Sequence, residues 1–275
     1  MRVAYIITSH KRPDLLIRLV DALGGAPIAI HIDRKSSIGP DVQARISTYD
    51  NVTLLPRHVC HWGLFGHVAG SLEGLKWFAG LSADYAVLLT GQCYPVKPLP
   101  VIEAAIGNLG GRSMIEIAAF PKAEWLHGDD GGYKRVDRFW VKWPRRVFPK
   151  AIKLWQRHLP YGLHPYGGSS YWCLSRQAVE YVLQYIADHP RIVAYCRSVF
   201  VPDEMFFQTI LGNSPLRDQL VNKLMHYTDW SRGGANPAVL GITELPTALA
   251  SDACFARKFE GSAVLDAIDA VIRQR

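Results

Sequence analysis

The sequence has no closely spaced cysteine pair. Its five cysteines (Cys60, Cys93, Cys173, Cys196 and Cys254) are odd in number and scattered, with no Cys-x-x-Cys and no Cys/His ligand spacing. That excludes a disulfide framework and a structural zinc site, and leaves free thiols in a reducing compartment as the expectation. No uncharged apolar stretch approaches the ~18 residues that a spanning helix needs. The first apolar run, Val3–Thr8, is too short for a signal-peptide core and meets Lys11 and Arg12 at once, so it reads as a buried strand. The expected location is cytoplasmic, at most peripheral at the inner face of a membrane. Also missing are a G-x-x-x-x-G-K-[ST] phosphate loop, a G-x-G-x-x-G turn and a G-x-S-x-G elbow, which argues against P-loop enzymes, dinucleotide dehydrogenases and ordinary α/β hydrolases. There is no Asp-x-Asp either, the pair with which many nucleotide-sugar enzymes hold a divalent cation on a diphosphate. If a nucleotide is bound, something other than a carboxylate-held metal must neutralise its leaving group.

Acid is scarce in one place. The 275 residues carry 31 Lys and Arg against 24 Asp and Glu, a net +7, yet Lys134 to Arg157 alone holds nine basic residues and one acid, Asp137. Outside that +8 stretch the chain is close to neutral, so a chain-wide nucleic-acid footprint is not expected. Within the stretch, Pro149 to Pro160 reads as a helix with Ile152, Trp155 and Leu159 on one face. It is either a solvated basic helix or a surface helix on anionic lipid.

With 49% hydrophobic residues the chain can bury a sizeable core. Strand signals at Val3–Thr8, Ile28–Ile32, Val52–Leu55 and Tyr85–Leu89 are separated by helical patterns that start at Pro13 and near His67. Further expectations are a strand over Met114–Ala118, and helices over Arg176–Ile186, Pro202–Leu211 and Val264–Arg273. Strands spaced by helices predict an α/β fold with a mixed, mainly parallel sheet flanked by helices. With no repeat and no linker, residues 1–275 read as one domain with a variable basic insert at about 120–165. Ligands in such sheets sit at the carboxyl ends of the strands, which directs attention to Ser9-His10-Lys11, His31–Lys35 and Gly91–Pro95.

Four features carry candidate chemistry. Asp203 and Glu204 follow Pro202, where acids either complement a helix dipole or supply a general base. Trp230, in Tyr227-Thr-Asp-Trp230-Ser-Arg232-Gly-Gly, is either a core residue or a platform for a sugar ring. Arg257-Lys258, between Phe255 and Phe259, is either a solvated turn or a cationic pair that holds a diphosphate in place of a metal. Asp33, at a strand end, either caps the following turn or accepts hydrogen bonds from a uracil or ribose.

The segments AYIITSHKRPDLL, IAIHIDRKS, HWGLFGHVAGSLEGL, YAVLLTGQCYPVKP, GGSSYWCLSR, FVPDEMFFQTIL, YTDW and CFARKF run in order from Ala4 to Phe259. Together they resemble the core-2/I-branching β-1,6-N-acetylglucosaminyltransferase family, which includes the peptide O-xylosyltransferases. The resemblance implies a GT-A-like fold in a bacterial-type, catalytic-domain-only member. It further implies inverting transfer from a UDP-sugar, GlcNAc or xylose, to a hydroxyl of a glycan or glycoconjugate without a metal. By position, Glu204 matches the base, Trp230 the acceptor-stacking tryptophan and Glu116 an acid on the acceptor sugar. Asp33 matches a uridine-contacting acid and Lys258 the lysine on the diphosphate, with Arg232 or Arg257 as its partner. Between Phe120 and Pro165 the resemblance stops. The rival from another class is a non-catalytic saccharide- or polyanion-binding protein on the same fold.

Overall fold

The run Val3–Ser9 is an interior strand of a seven-stranded sheet in the computed structural model, which describes residues 1–146, 148–233 and 236–273. Side chains alternate across a strand, and here both faces are buried. Val3, Tyr5 and Ile7 enter one apolar cluster, while Ala4 and Ile6 enter another. The first cluster is completed by helices Pro13–Ala22 and Ser262–Arg273, the second by helices Gly66–Ala79 and Arg176–Asp188. A strand buried on both faces must be apolar at every position, which is why its sequence reads as a continuous run.

In spatial order the strands are Leu220–Val221, Ser113–Ile115, Trp172–Ser175, Tyr85–Thr90, Val3–Ser9, Ile28–Ile32 and Val52–Leu54. All neighbours pair in parallel except Trp172–Ser175, which runs antiparallel between Tyr85–Thr90 and Ser113–Ile115. The expected mixed, mainly parallel sheet with helices on both faces is what forms. Helix Gly66–Ala79 packs close to it because a Cβ at Gly74 would lie 2.3 Å from the Ile6 side chain.

A second, three-stranded sheet joins Tyr94–Pro95 to Phe255–Arg257 and His226–Thr228. It lies beyond the end of Tyr85–Thr90 and carries the chain that continues into Lys258 and Trp230. Short helices at Pro40–Ile46, Leu99–Gly107, Pro190–Cys196 and Leu245–Ala250 were too brief to leave a readable period in the sequence.

Three expected elements change. Met114–Ala118 is not one strand: Ser113–Ile115 stays in the main sheet, while Ala118–Ala119 leaves it to pair with Tyr166–Gly167. Glu116 falls at the bend, where the Asn222 side chain takes up the Ile117 N–H at 2.8 Å. The helix expected between Pro149 and Pro160 is absent. Lys150–Ile152 is a strand, paired antiparallel with Phe139–Val141, and Arg157 is buried rather than solvated. Cross-strand contact with an aromatic, β-branched partner outweighs a helical pattern that rested on three apolar residues. Finally, the helix over Pro202–Leu211 is interrupted at Met205. All five cysteines are buried and unbridged.

Gly74→Ala is expected to lower stability by about 1–3 kcal/mol through overpacking against Ile6, despite the better helix propensity of alanine. Urea unfolding measures it, and a stability equal to or above that of the parent would show that the contact relaxes freely.

Candidate active site

Glu204 owes its position to two breaks in the backbone. Val201 sits at φ 45°, a left-handed conformation that strains a β-branched residue, and its N–H donates to the Gly63 carbonyl at 2.9 Å. Pro202–Glu204 then forms a single 3-10 turn, and Met205 at φ −144° separates it from helix Phe206–Gly212. Each acid in the turn has its own partner. The Ser170 hydroxyl donates to Asp203 Oδ2 at 2.8 Å, and Arg135 Nη1 donates to Glu204 Oε2 at 2.6 Å.

Arg135 is the centre of this half of the site. Its Nε donates to Asp129 Oδ2 at 2.7 Å and its guanidinium lies 3.6 Å from the centre of the Trp125 ring. Burial pushes the Glu204 carboxyl above its ordinary value, Arg135 pulls against that rise, and the neighbouring Asp203 adds to it. Glu116 is close by. Gly168 donates its N–H to the Glu204 carbonyl at 2.9 Å, and a Cβ on Gly168 would lie 1.9 Å from the Glu116 carbonyl oxygen. Only glycine lets the two segments meet. The Glu116 carboxylate accepts from the buried Lys122 Nζ at 2.6 Å, and that ammonium lies 5.0 Å from the Trp125 ring centre.

The other half gathers at the strand ends. Asp33 follows Ile28–Ile32, and its Oδ1 accepts from the backbone N–H groups of Lys35 (2.9 Å) and Cys60 (3.2 Å). Burial alone would raise its carboxyl, but these two bonds and Lys35 hold it below the ordinary value. The turn-capping role is therefore realised through Oδ1. His10, after Val3–Ser9, is pushed below its ordinary value by burial and by Lys11, His67 and Lys258, with Asp33 opposing, so the first two strand ends and Lys258 share one electrostatic neighbourhood. Lys258 Nζ lies 3.5 Å from Glu260 Oε1, the same oxygen that Lys11 Nζ approaches at 2.8 Å.

Arg257 leaves the chain toward a different partner. Its guanidinium lies 4.8 Å from the Tyr171 ring centre, and its Nε is buried with no partner among the described residues. The halves meet near Cys60, whose thiol is pushed up to about 12 by burial and by Asp33 and Asp203 together. Tyr171 likewise senses both Arg257 and Asp203.

Two sequence candidates stand apart from these clusters. Arg232 is an exposed side chain whose nearest carboxylate is Glu244 at 3.9 Å. Trp230 is 52% exposed on the loop after His226–Thr228, which removes its core alternative. Gly234 of the same motif lies outside the described residues. In the opposite direction, Arg135, Lys122, Trp125 and Asp129 were not singled out. They fall in the stretch where the resemblance stops, and Arg135 had counted only as one of nine basic residues. Among the described residues no three His, Cys, Asp or Glu side chains converge to hold a metal ion. Two surface concavities of about 670 and 690 Å³ lie elsewhere, one beside Arg18 and Tyr94 and one beside Leu183 and Val193, so shape alone does not mark this site.

A family model described as Core-2/I-Branching enzyme matches residues 3–249. Xylosyltransferase 2 of Canis lupus familiaris is 28% identical over 248 residues, covering 84% of this chain and 27% of that protein. Xylosyltransferase 1 of Rattus norvegicus is 24% identical over 241 residues, covering 84% and 28%. The chain thus spans about a quarter of the length of the curated relatives it matches. A crystal structure of S. aureus TarS 1-349 in complex with UDP is similar over 42% of this chain and 35% of its own, at 10% identity and a TM-score of 0.33, too slight an overlap to bear weight.

Arg135→Met leaves the partly buried carboxylates of Asp129 and Glu204 without their shared cation, and is expected to cost about 3 kcal/mol of stability at neutral pH. With the cation gone the folded-state pKa of Glu204 rises further, so the loss should shrink as pH falls and that carboxyl protonates. Thermal unfolding between neutral and mildly acidic pH reads both effects, and an unchanged melting temperature at neutral pH would refute the clamp.

Proposed function

The chain belongs to the core-2/I-branching enzyme family, and on that premise we propose that it is an inverting, metal-independent glycosyltransferase that moves a sugar from a UDP-sugar to a hydroxyl of a glycan or glycoconjugate. The observation that carries the reading is Glu204. It is a carboxylate with a raised pKa, aimed by the Val201 kink and held by Arg135 at 2.6 Å. A base is most effective when its pKa approaches the working pH, and Glu204 is raised in that direction while the ion pair keeps it charged.

In this mechanism the Glu204 carboxylate takes the proton from the acceptor hydroxyl. The oxygen attacks the anomeric carbon, and the bond from that carbon to the diphosphate oxygen breaks on the opposite face, so the configuration inverts. UDP leaves with the bonding pair. In-line geometry requires acceptor and diphosphate to sit on opposite sides of the transferred sugar. Glu204 and Glu116 are held by Arg135 and Lys122, whereas Lys11 and Lys258 share Glu260, and these separate sets of partners support that arrangement.

The leaving group meets cations rather than a metal. Lys258 and Lys11 share one carboxylate, Glu260, and a diphosphate competes for the same ammonium groups. Among the described residues the buried Arg257 Nε–H has no partner, a donor that a phosphate oxygen satisfies. Arg257 is a better partner for Lys258 than Arg232, which is exposed and turned to Glu244. Asp33 keeps Oδ2 for the nucleoside, with Lys35 Nζ 3.6 Å away. On the acceptor side, Glu116 accepts a sugar hydroxyl and the exposed Trp230 stacks on a ring. The donor sugar in this reading is xylose or GlcNAc, with xylose favoured by the names of the relatives above.

Glu204→Gln is expected to retain UDP affinity while transfer falls by about 10²–10⁴-fold, and near-parental transfer would defeat the assignment. In the parent, kcat/KM should decline with falling pH along a limb lying above the ordinary glutamate value of about 4.3, because the base is lost once it protonates. Transfer assayed with a panel of UDP-sugars should persist in EDTA, and strict loss in the chelator would overturn the metal-free step. Glycan binding without donor consumption would instead mark a saccharide-binding protein.

A further inference from the structure

The hairpin Phe139–Val141/Lys150–Ile152 takes no part in the chemistry above, and its surface is unlike the rest of the molecule: the turn beyond Val141 carries Trp143 and Phe148, while Leu154 and Trp155 follow Ile152 at the opposite end. Trp143, Phe148, Leu154 and Trp155 are 41%, 52%, 65% and 60% exposed. Interleaved with them are the exposed Lys142, Arg145, Arg146 and Lys153 and the half-exposed Lys150. No acidic residue occurs between Asp137 and Glu180. Among the described residues, Lys153 reaches Asp137 at 3.8 Å, whereas Lys142, Arg145, Arg146 and Lys150 pair with no carboxylate.

The hairpin is anchored to the rest of the domain at both ends, so its exposed side chains are held in place rather than loosely attached. Trp140 stacks on Phe200 with centroids 4.3 Å apart, and Phe148 meets Trp62 edge-on at 4.7 Å. The buried Arg157 closes the base by donating to the Arg138 carbonyl at 2.6 Å and to the Ser198 hydroxyl at 3.1 Å. Phe200 lies four residues before Glu204, so the hairpin and the candidate base share one support.

We propose that this hairpin is a docking element for an anionic phospholipid membrane. The composition selects the partner. A polyanion in water neutralises the cations but leaves Leu154 and Phe148 against solvent. An apolar protein surface covers those side chains but strands the cations. A bilayer with anionic headgroups satisfies both, since tryptophan settles at the lipid–water interface and Lys and Arg are drawn to the negative leaflet. The contact is peripheral, because no helix among the described residues is long and apolar enough to cross a membrane. It does not depend on the transferase reading, and vesicle binding tests it without any activity assay.

The test is co-sedimentation of the full chain with vesicles of phosphatidylcholine plus an equal share of phosphatidylglycerol, against phosphatidylcholine alone. Binding is expected only to the anionic vesicles, and should weaken as salt is raised. Arg145→Ser with Arg146→Ser should weaken it by roughly fivefold per cation removed. Trp143→Ser with Leu154→Ser should weaken it at least as much, with the unfolding temperature of both variants unchanged. Failure of the parent to bind anionic vesicles overturns the proposal without recourse to any variant. So does binding that survives loss of Trp143 and Leu154, or tighter binding to single-stranded DNA than to the vesicles, either of which marks a plain polyanion site.

Discussion

One guanidinium joins the two parts of the chain that the site needs. Arg135 spans Asp129 and Glu204 with bonds of 2.7 and 2.6 Å and lies 3.6 Å from the centre of the Trp125 ring. Arg135 thus ties the segment from Trp125 to Arg135 to the turn Pro202–Glu204, and its removal would leave both carboxylates without their cation. The planar fork suits this geometry, and a lysine at the position would offer one point charge where two directed donors are needed. Lys122 repeats the device on a smaller scale, held between the Glu116 carboxylate and the same tryptophan ring. Trp125 thus carries a cation toward both Glu204 and Glu116.

The large sheet contributes differently. Its central strands are buried on both faces and end together, so the residues that follow, His10 after one and Asp33 after the next, reach the same edge without any contact between them being required. The small second sheet then brings Lys258 and Arg257 to that edge from a distant part of the chain. This division of labour suits the proposed reaction. In that proposal the parallel edge holds the nucleotide, while the acceptor meets turns and short strands whose contacts are specific side-chain pairs.

The basic excess has also been redistributed. Of nine cations in Lys134 to Arg157, Arg135 and Arg157 are buried and structural, one serving Glu204 and the other tying down the hairpin. Lys134 donates to the Gly128 carbonyl and Arg138 pairs with Asp137, while Lys142, Arg145, Arg146, Lys150 and Lys153 are spread over the hairpin surface beside exposed aromatic rings. A single numerical excess in the sequence therefore divides into a clamp, a brace and a surface.

The α/β order, the buried strands and the helix starting at Pro13 were legible because each rests on short-range physics: alternation along a strand, a fixed φ at proline, an apolar stripe on a helix. Glu204, Asp33 and Lys258 were also visible, since each lies in a compact motif. Reading failed where a pattern was short and its partner remote, as at Lys150–Ile152, where three apolar residues at helical spacing belong to a strand paired with Phe139–Val141. It failed as well for Arg135, whose role depends on a carboxylate 69 residues away and leaves no periodic trace. The sequence by itself determined the layered fold and the acids and cations available. Only the tertiary structure decided which of them meet, because an ion pair across a folded interior is set by the packing of whole elements and not by any property of the residues beside it in the chain.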